Sequence, residues 1–449
     1  MDRDRLDSLI KAERERFAAE HPRSRALFEE ARRNLLDGVP MSWMSRWPGG
    51  HPIVATEASG ARITDVDGIT YVDLCLGDTG AMAGHAPPPT AAAVSDRYAR
   101  GATLMLPTED STWAAGELAK RFGLPKWQLT LSATDANRFA IRMARQVTGR
   151  RRVLVFSYCY HGTVDESFIV VGPDGRPVSR DGNVGPPVDP TETSSVVEFN
   201  DIEGLERALK EDQIACVLTE PALTNIGIVL PAPGFHDAMR DLTRETGTLL
   251  LIDETHTFSA GPGGYTAAHG LEPDMLTIGK AIAGGVPAGA FGMSNEVAER
   301  VAGQFEADYE DTGGVGGTLA GNALTAAAIR ATLDEVLTPA AFERMIALAD
   351  RYTEGVQRVI DEQELPWHVV QLGARAEYGF LPEQPPSGGL AAQSSDPQLE
   401  EYLHLFLLNR GVLITPFHNM ALMSPATQEE DVDRHTELFA EACEGLAAD

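Results

Sequence analysis

Apolar positions change their spacing several times along this chain, and each change predicts a different kind of structure. Over residues 1 to about 37, Leu27, Phe28, Ala31 and Leu35 recur at helical intervals among charged residues. That stretch predicts an amphipathic helix, which Gly38 and Pro40 bring to an end. A loop rich in aromatics and glycine follows, Met41-Ser42-Trp43-Met44-Ser45-Arg46-Trp47-Pro48-Gly49-Gly50. Short strands are predicted at 62–65 and 71–74, on either side of the turn pair Asp67-Gly68. From about 110 to 295 short apolar runs alternate with helical patterns. The strand candidates are 128–131, 153–156, 214–219, 248–253, 275–278 and 289–293. Helices between most of them predict a parallel α/β sheet. One interval breaks the alternation: 172–193, rich in Pro, Gly and Asp, reads as a long loop suited to covering a site. From about 331 helices return, with strands at 368–372 and 412–414.

At 449 residues the chain exceeds the size at which one core stops growing, so more than one domain is expected. The simplest partition has a larger α/β domain over 76–330, with a mainly parallel central sheet flanked by helices. A smaller α+β domain is then built from 1–75 and 331–449. The formal net charge of −29 opposes binding to nucleic acid or anionic membrane, so neither is an expected partner. Cys75, Cys159, Cys216 and Cys443 are scattered without metal-site or disulfide spacing, which fits a reducing cytoplasm. The first residues are charged through Arg16, and no run approaches the ~18 apolar residues of a membrane span.

Lysine is scarce: Lys11, Lys120, Lys126, Lys210 and Lys280 are the five. Lys280 alone ends an apolar run and opens onto glycines, in Thr277-Ile278-Gly279-Lys280-Ala281-Ile282-Ala283-Gly284-Gly285. An amine in apolar surroundings loses hydration and becomes available as a nucleophile, although a lysine at a strand end also snorkels to water. Three further features fall at predicted strand ends, where open α/β sheets bind ligands. Ser132-Ala133-Thr134 opens a helix whose apolar face is Ala136, Phe139, Ala140, Met143 and Val147. Its hydroxyls and free amides suit a phosphate, or serve as an ordinary cap. Tyr160 in Ser157-Tyr158-Cys159-Tyr160-His161-Gly162 offers a ring to lie on a planar ligand, or simply packs. Asp253 closes the apolar run 249–252 and needs a partner, such as a protonated pyridine nitrogen or a local cap. Taken in order, these call for a phosphate, a planar ring, a basic ring nitrogen and an aldehyde. Pyridoxal phosphate carries all four.

With Tyr160-His161-Gly162, Asp253-Glu254, Gly84-His85, Glu220-Pro221 with Asn225, and Gly316-Gly317-Thr318-Leu319-Ala320-Gly321-Asn322, the chain resembles the class III (fold type I) pyridoxal-phosphate aminotransferases. Within them it is similar to the glutamate-1-semialdehyde aminomutase branch. The resemblance runs from about residue 30 to near the C-terminus. It implies that Lys280 joins the cofactor and moves the substrate proton, while Asp253 pairs with the ring nitrogen. Tyr160 with His161 would flank the ring, Thr255 would face its other side, and Asn225 would lie near the phenolic oxygen. Ser132, Ala133 and Thr134 would hold the phosphate. Thr318 would reach the neighbouring subunit's cofactor in a homodimer.

Departures bear on the substrate. Ala133 stands where relatives carry glycine, and Thr255-His256-Thr257-Phe258-Ser259-Ala260 replaces a Val-x-Thr-Gly-Phe-Arg pattern. His418 stands where an acidic residue is usual. Trp43 and Trp47 suggest an apolar or aromatic substrate portion, with Arg46 or Arg375 as a carboxylate clamp. Arg375 has the alternative of pairing with Glu377. These features lead to the expectation of a transaminase that moves an amino group from an amino acid or amine, possible β-amino acids included, to a keto acid or ketone. The alternative is a semialdehyde-type 2,1-aminomutase.

Overall fold

Proline at position 22 breaks the N-terminal amphipathic stretch into two helices, Arg3–Glu20 and Pro22–Ala31, where the apolar spacing predicted one. Proline has no amide hydrogen and its ring collides with the preceding turn, so the chain bends at His21 and a new helix starts with Pro22. The bend is pinned from within, because the buried ring of His21 lies 2.8 Å from the Phe17 carbonyl and 2.7 Å from the Tyr71 hydroxyl. Asp67 of the predicted turn accepts the Arg23 and Ser24 amides at 2.7 and 2.9 Å, so it caps the second helix. The surrounding strands β1 (Ala55–Ser59), β2 (Arg62–Asp65) and β3 (Thr70–Asp73) form an antiparallel meander.

The computed structural model describes residues 2–211, 213–302 and 314–447. They form two compact units. The larger comprises Pro88–Phe342 with Pro385–Gln393, and the smaller comprises Met1–Pro87, Glu343–Gln384 and Ser394–Asp449. The divisions fall at 87 and 342, whereas the reading from sequence set them at 75 and 330. The turns after helix Ala323–Ala331 explain the second shift: the Thr332 hydroxyl lies 2.9 Å from that of Thr90, and Arg121 donates to the Leu333 and Leu337 carbonyls at 2.6 and 3.0 Å, so this stretch stays with the larger unit.

In the larger unit the strands are β4 (Lys126–Thr130), β5 (Arg152–Phe156), a small hairpin of β6 (Ile169–Val171) and β7 (Pro177–Ser179), β8 (Ser194–Val197), β9 (Ile214–Thr219), β10 (Leu249–Asp253), β11 (Met275–Gly279) and β12 (Gly289–Met293). Seven of them make one sheet in the order β4-β12-β11-β10-β9-β5-β8. From β8 to β11 the pairing is parallel, and β9 and β10 are buried along their whole length, as sheets covered on both faces require. β12 runs antiparallel to both neighbours. The link from β11 is too short for the crossover of a dozen or more residues that a parallel strand needs. The interval read as a long loop holds the turn and second strand of the β6–β7 hairpin, closed by the Gly172 amide on the Arg176 carbonyl at 2.8 Å, and then helix Pro190–Thr193 leading into edge strand β8. Helix Ala133–Thr148 covers the sheet, and its Ala140, Met143 and Val147 share a core with Val153, Leu154 and Leu251.

The smaller unit is completed by β13 (His368–Leu372), β14 (Arg375–Gly379), β15 (Val412–Leu413) and β16 (Met420–Leu422). β13, β14 and β16 form an antiparallel sheet, while β15 extends the N-terminal meander by pairing in parallel with β3. Among the described residues no helix is long and apolar enough to cross a membrane.

Candidate active site

Asp253 ends β10 with its carboxylate buried, 3% exposed, at the carboxyl edge of the parallel strands. Its Oδ2 accepts from His161 Nδ1 at 3.0 Å and Asn137 Nδ2 at 2.8 Å, and its Oδ1 accepts the Thr255 amide at 3.0 Å. Burial disfavours the charged form of Asp253, but the bonds and charge of His161, with those of Thr255 and Asn137, outweigh it and hold the carboxyl below the usual range. Burial likewise resists protonation of His161, yet Cys159 and Asp253 raise it well above its ordinary value. A carboxylate has about four acceptor positions, so this one stays ionised with capacity for a further donor.

Asn137 organises this centre. Besides Asp253 it donates to the His161 carbonyl at 3.1 Å, and its own oxygen accepts from Thr277 Oγ1 at 2.6 Å. One fully buried amide thus ties the helix, β10, β11 and the turn after β5. Reading the sequence passed over it. The available signal was a polar residue set beside the apolar face of a helix, next to Ala136 and Ala140.

Lys280 follows β11 directly and adopts a left-handed backbone, φ 51°. Its Nζ lies 2.9 Å from His256 Nε2. Glu254, after Asp253 in the chain, is buried and accepts from the Thr266 and Tyr265 amides at 2.5 and 3.1 Å and from the Thr257 hydroxyl at 2.5 Å, so it serves to fold the segment after β10. Ser132 caps its helix by accepting the Asp135 amide at 3.2 Å. Ala133 and Thr134 open the first turn, where amides lack partners within the helix. The Thr134 hydroxyl accepts the Thr163 amide at 3.2 Å. Two glycines draw these parts together. A Cβ on Gly162, at φ 78°, would fall 2.0 Å from Thr134 Oγ1, and one on Gly279 would fall 2.9 Å from the Ala133 nitrogen. The helix start, the turn after β5 and the residue before Lys280 therefore meet with no room for side chains, a cradle formed largely of backbone amides. Tyr160 is half-buried in that turn, 6.5 Å from the Phe168 ring centre, and Asn225 is half-buried in a turn closed by the Leu223–Val229 bridge. Thr318 is exposed.

The remaining sequence-predicted residues belong to the smaller unit. Trp43 meets Phe417 edge-on at 5.6 Å, and the Arg46 guanidinium lies 5.5 Å over the same ring. Trp47 turns away from this group and packs against a core of Phe17, Tyr71 and Leu405. Arg375 is fully buried on β14, and His418 Nδ1 lies 3.6 Å from Glu377 Oε1 on the same strand.

An ionised buried carboxylate, an amine on the neighbouring strand and a helix start lined with amides and hydroxyls fit a flat phosphorylated ligand with a basic ring nitrogen and an aldehyde. That ligand is pyridoxal phosphate, and on this sheet the arrangement defines a fold type I pyridoxal-phosphate enzyme. The family described as Aminotransferase class-III matches residues 44–443, and the chain belongs to it. The glutamate-1-semialdehyde 2,1-aminomutase of Desulfitobacterium hafniense (strain Y51) is 34% identical over 390 residues, 86% of this chain and 89% of that one. The crystal structure of a glutamate-1-semialdehyde-aminomutase from Pseudomonas aeruginosa PAO1 is 50% identical with a TM-score of 0.95, covering 99% of both chains. A second structure of that enzyme is a complex with PMP. The beta-phenylalanine aminotransferase of Variovorax paradoxus is 26% identical with a TM-score of 0.86, covering 98% of each chain.

Proposed function

We propose that this chain is a pyridoxal-phosphate 2,1-aminomutase, which moves an amino group between neighbouring carbons of a small amino aldehyde of the glutamate 1-semialdehyde type. The observation that carries this reading is the 50% identity, across 99% of both chains, to a structure of that description. In it, Lys280 anchors the cofactor and its Nζ moves the proton at the substrate carbon that bears nitrogen. Asp253 holds a negative charge against the ring nitrogen, and His161 with Asn137 fixes that carboxylate. Ser132, Ala133 and Thr134 hold the phosphate, Tyr160 and Thr255 flank the ring, and Asn225 faces its phenolic oxygen. When bound, the cofactor draws electron density from the substrate carbon and eases loss of its proton.

The test is turnover of glutamate 1-semialdehyde by the holoenzyme with no second substrate. Product with its nitrogen moved to carbon 1 is expected, and Lys280→Ala lowers the rate by about 10²–10⁴-fold, the usual contribution of a positioned acid–base. Turnover only when an amine donor and a keto acid are both supplied would overturn it in favour of the second reading, a transaminase. Trp43 and Phe417 beside Arg46 favour that reading, since they offer apolar rings next to a carboxylate clamp. We also propose a homodimer in which Thr318 serves the neighbouring subunit's cofactor. Tyr98, Met105, Leu106 and Leu319 are large and exposed in the single chain, and the Ala323 amide on the Ala102 carbonyl at 2.9 Å ties the two segments that carry them. A solution mass of one chain at micromolar concentration contradicts the dimer.

A further inference from the structure

β10 and β11 run parallel with Asp253 opposite Thr277. Three residues beyond each partner stand His256 and Lys280, so the register that delivers the lysine delivers a histidine beside it. His256 precedes the short helical turn Thr257–Ala260, which Glu254 fastens through the Thr257 hydroxyl. The backbone that carries His256 is thus anchored at the next residue, and its Nε2 lies 2.9 Å from Lys280 Nζ. Lys280 in turn leaves the sheet with a left-handed backbone, which fixes the direction in which its side chain starts.

We propose that His256 is the positioning residue for Lys280: its Nε2 accepts one N–H of the free amine and holds Nζ ready to attack the cofactor aldehyde. An amine so held keeps its lone pair clear of the hydrogen bond. Nζ becomes doubly bonded to the aldehyde carbon in place of the carbonyl oxygen, which departs as water with the two protons of the neutral amine. His256 does not touch the reacting carbon. It shortens the search of a side chain with four rotatable bonds, which is the general advantage of preorganisation. The inference rests on the reading that Lys280 is the attachment point.

The test uses the full-length chain stripped of cofactor. The rate of covalent attachment of pyridoxal phosphate is followed by absorbance, and the equilibrium affinity for PMP, which has no aldehyde, is measured alongside. His256→Phe keeps the ring size and removes the acceptor. It slows attachment at least tenfold and leaves PMP affinity within twofold, while His256→Gln, with an amide oxygen, recovers most of the rate. Attachment by His256→Phe within twofold of the parent overturns the proposal, and so does equal weakening of pyridoxal phosphate and PMP, which marks a purely structural role. Lys280→Ala, reduced with borohydride and weighed, checks the underlying reading separately. A covalent adduct persisting in that variant refutes Lys280 as the attachment point whatever His256 does.

Discussion

Asn137 spends both amide hydrogens and its carbonyl oxygen on three segments, so its removal reaches well beyond one side chain. Asn137→Ala takes one donor from the Asp253 carboxylate and leaves the buried Thr277 hydroxyl without its acceptor. A loss of about 2–4 kcal/mol in urea unfolding is expected, from one charged and one neutral buried hydrogen bond. Cofactor affinity falls with it, because the carboxylate then keeps only the His161 and Thr255 bonds. An unchanged unfolding midpoint argues that water replaces the amide fully. Lys280 makes a second expectation. A lysine at φ 51° is strained where glycine is not, so Lys280→Gly unfolds at higher urea than Lys280→Ala, by roughly 1 kcal/mol. Equal midpoints mean that the backbone relaxes when the lysine is lost. At this scale the sequence was uneven in what it disclosed. Lys280 and Asp253 stood out as charges at the ends of apolar runs, each with a bland alternative, and it was their order with Ser132–Thr134 and Tyr160 that pointed to one ligand. Asn137 did not stand out, since nothing in a helix pattern says which buried position receives three partners. His256 was visible only as a departure from a family pattern, and its nearness to Lys280 depends on the β10–β11 register.

The elements were easier to read where both faces of a strand are buried. β9 and β12 lie at the predicted bounds, β5, β10 and β11 differ from them by one residue, and β13 also lies at its bounds although it is only partly buried. β14 was missed because Arg375 and Glu377 alternate along it like solvent-facing residues, while both are buried. β8 was missed because its two serines hide a fully buried edge strand. The direction of β12 followed from loop length, a clue that apolar spacing does not carry. The turn after β5 offers a test at this scale. Gly162→Ala adds strain at φ 78° and drives a Cβ into Thr134 Oγ1, so the helix start and the turn must part. A tenfold or greater loss in pyridoxal-phosphate affinity is expected, with about 1–3 kcal/mol of stability. Retained affinity indicates that the cradle does not depend on this close approach.

For the molecule as a whole, three histidines lowered by burial contribute to its response to acid. Burial lowers His404 and His236 to about 4 and His435 to about 3, with the Asn419 bond to His404 and the Pro221 bond to His236 opposing it only in part. A lowered histidine takes up its proton in the unfolded chain first, so its contribution is intact above 6.5 and is lost as pH falls below that value. The slope is on the order of 1.4 kcal/mol per pH unit for each fully buried ring. Glu254 and Glu400, raised by burial, act with the opposite sign and only near the carboxylate range. The melting temperature therefore declines from pH 6.5 toward 5, and His435→Phe, which packs beside Tyr352 and Phe439, flattens the decline. An unaltered slope in that variant removes His435 as a cause. The partition of the chain was only partly legible at this scale, because one short return from the C-terminal third has no mark in composition. Residues 385–393 complete the larger unit: the Pro386 carbonyl accepts from Asn200 Nδ2 at 2.9 Å, the Gly389 amide donates to Glu198 Oε2 at 3.0 Å, and a Cβ on Gly388 would fall 2.1 Å from the Ser157 carbonyl oxygen. The order of synthesis follows from this. As the chain leaves the ribosome, the segment up to 342 emerges with the edge around β5 and β8 still uncovered, and it waits about fifty residues for its last piece. A gene cut at 342 keeps all seven strands of the sheet but lacks the piece that packs against Ser157, Glu198 and Asn200.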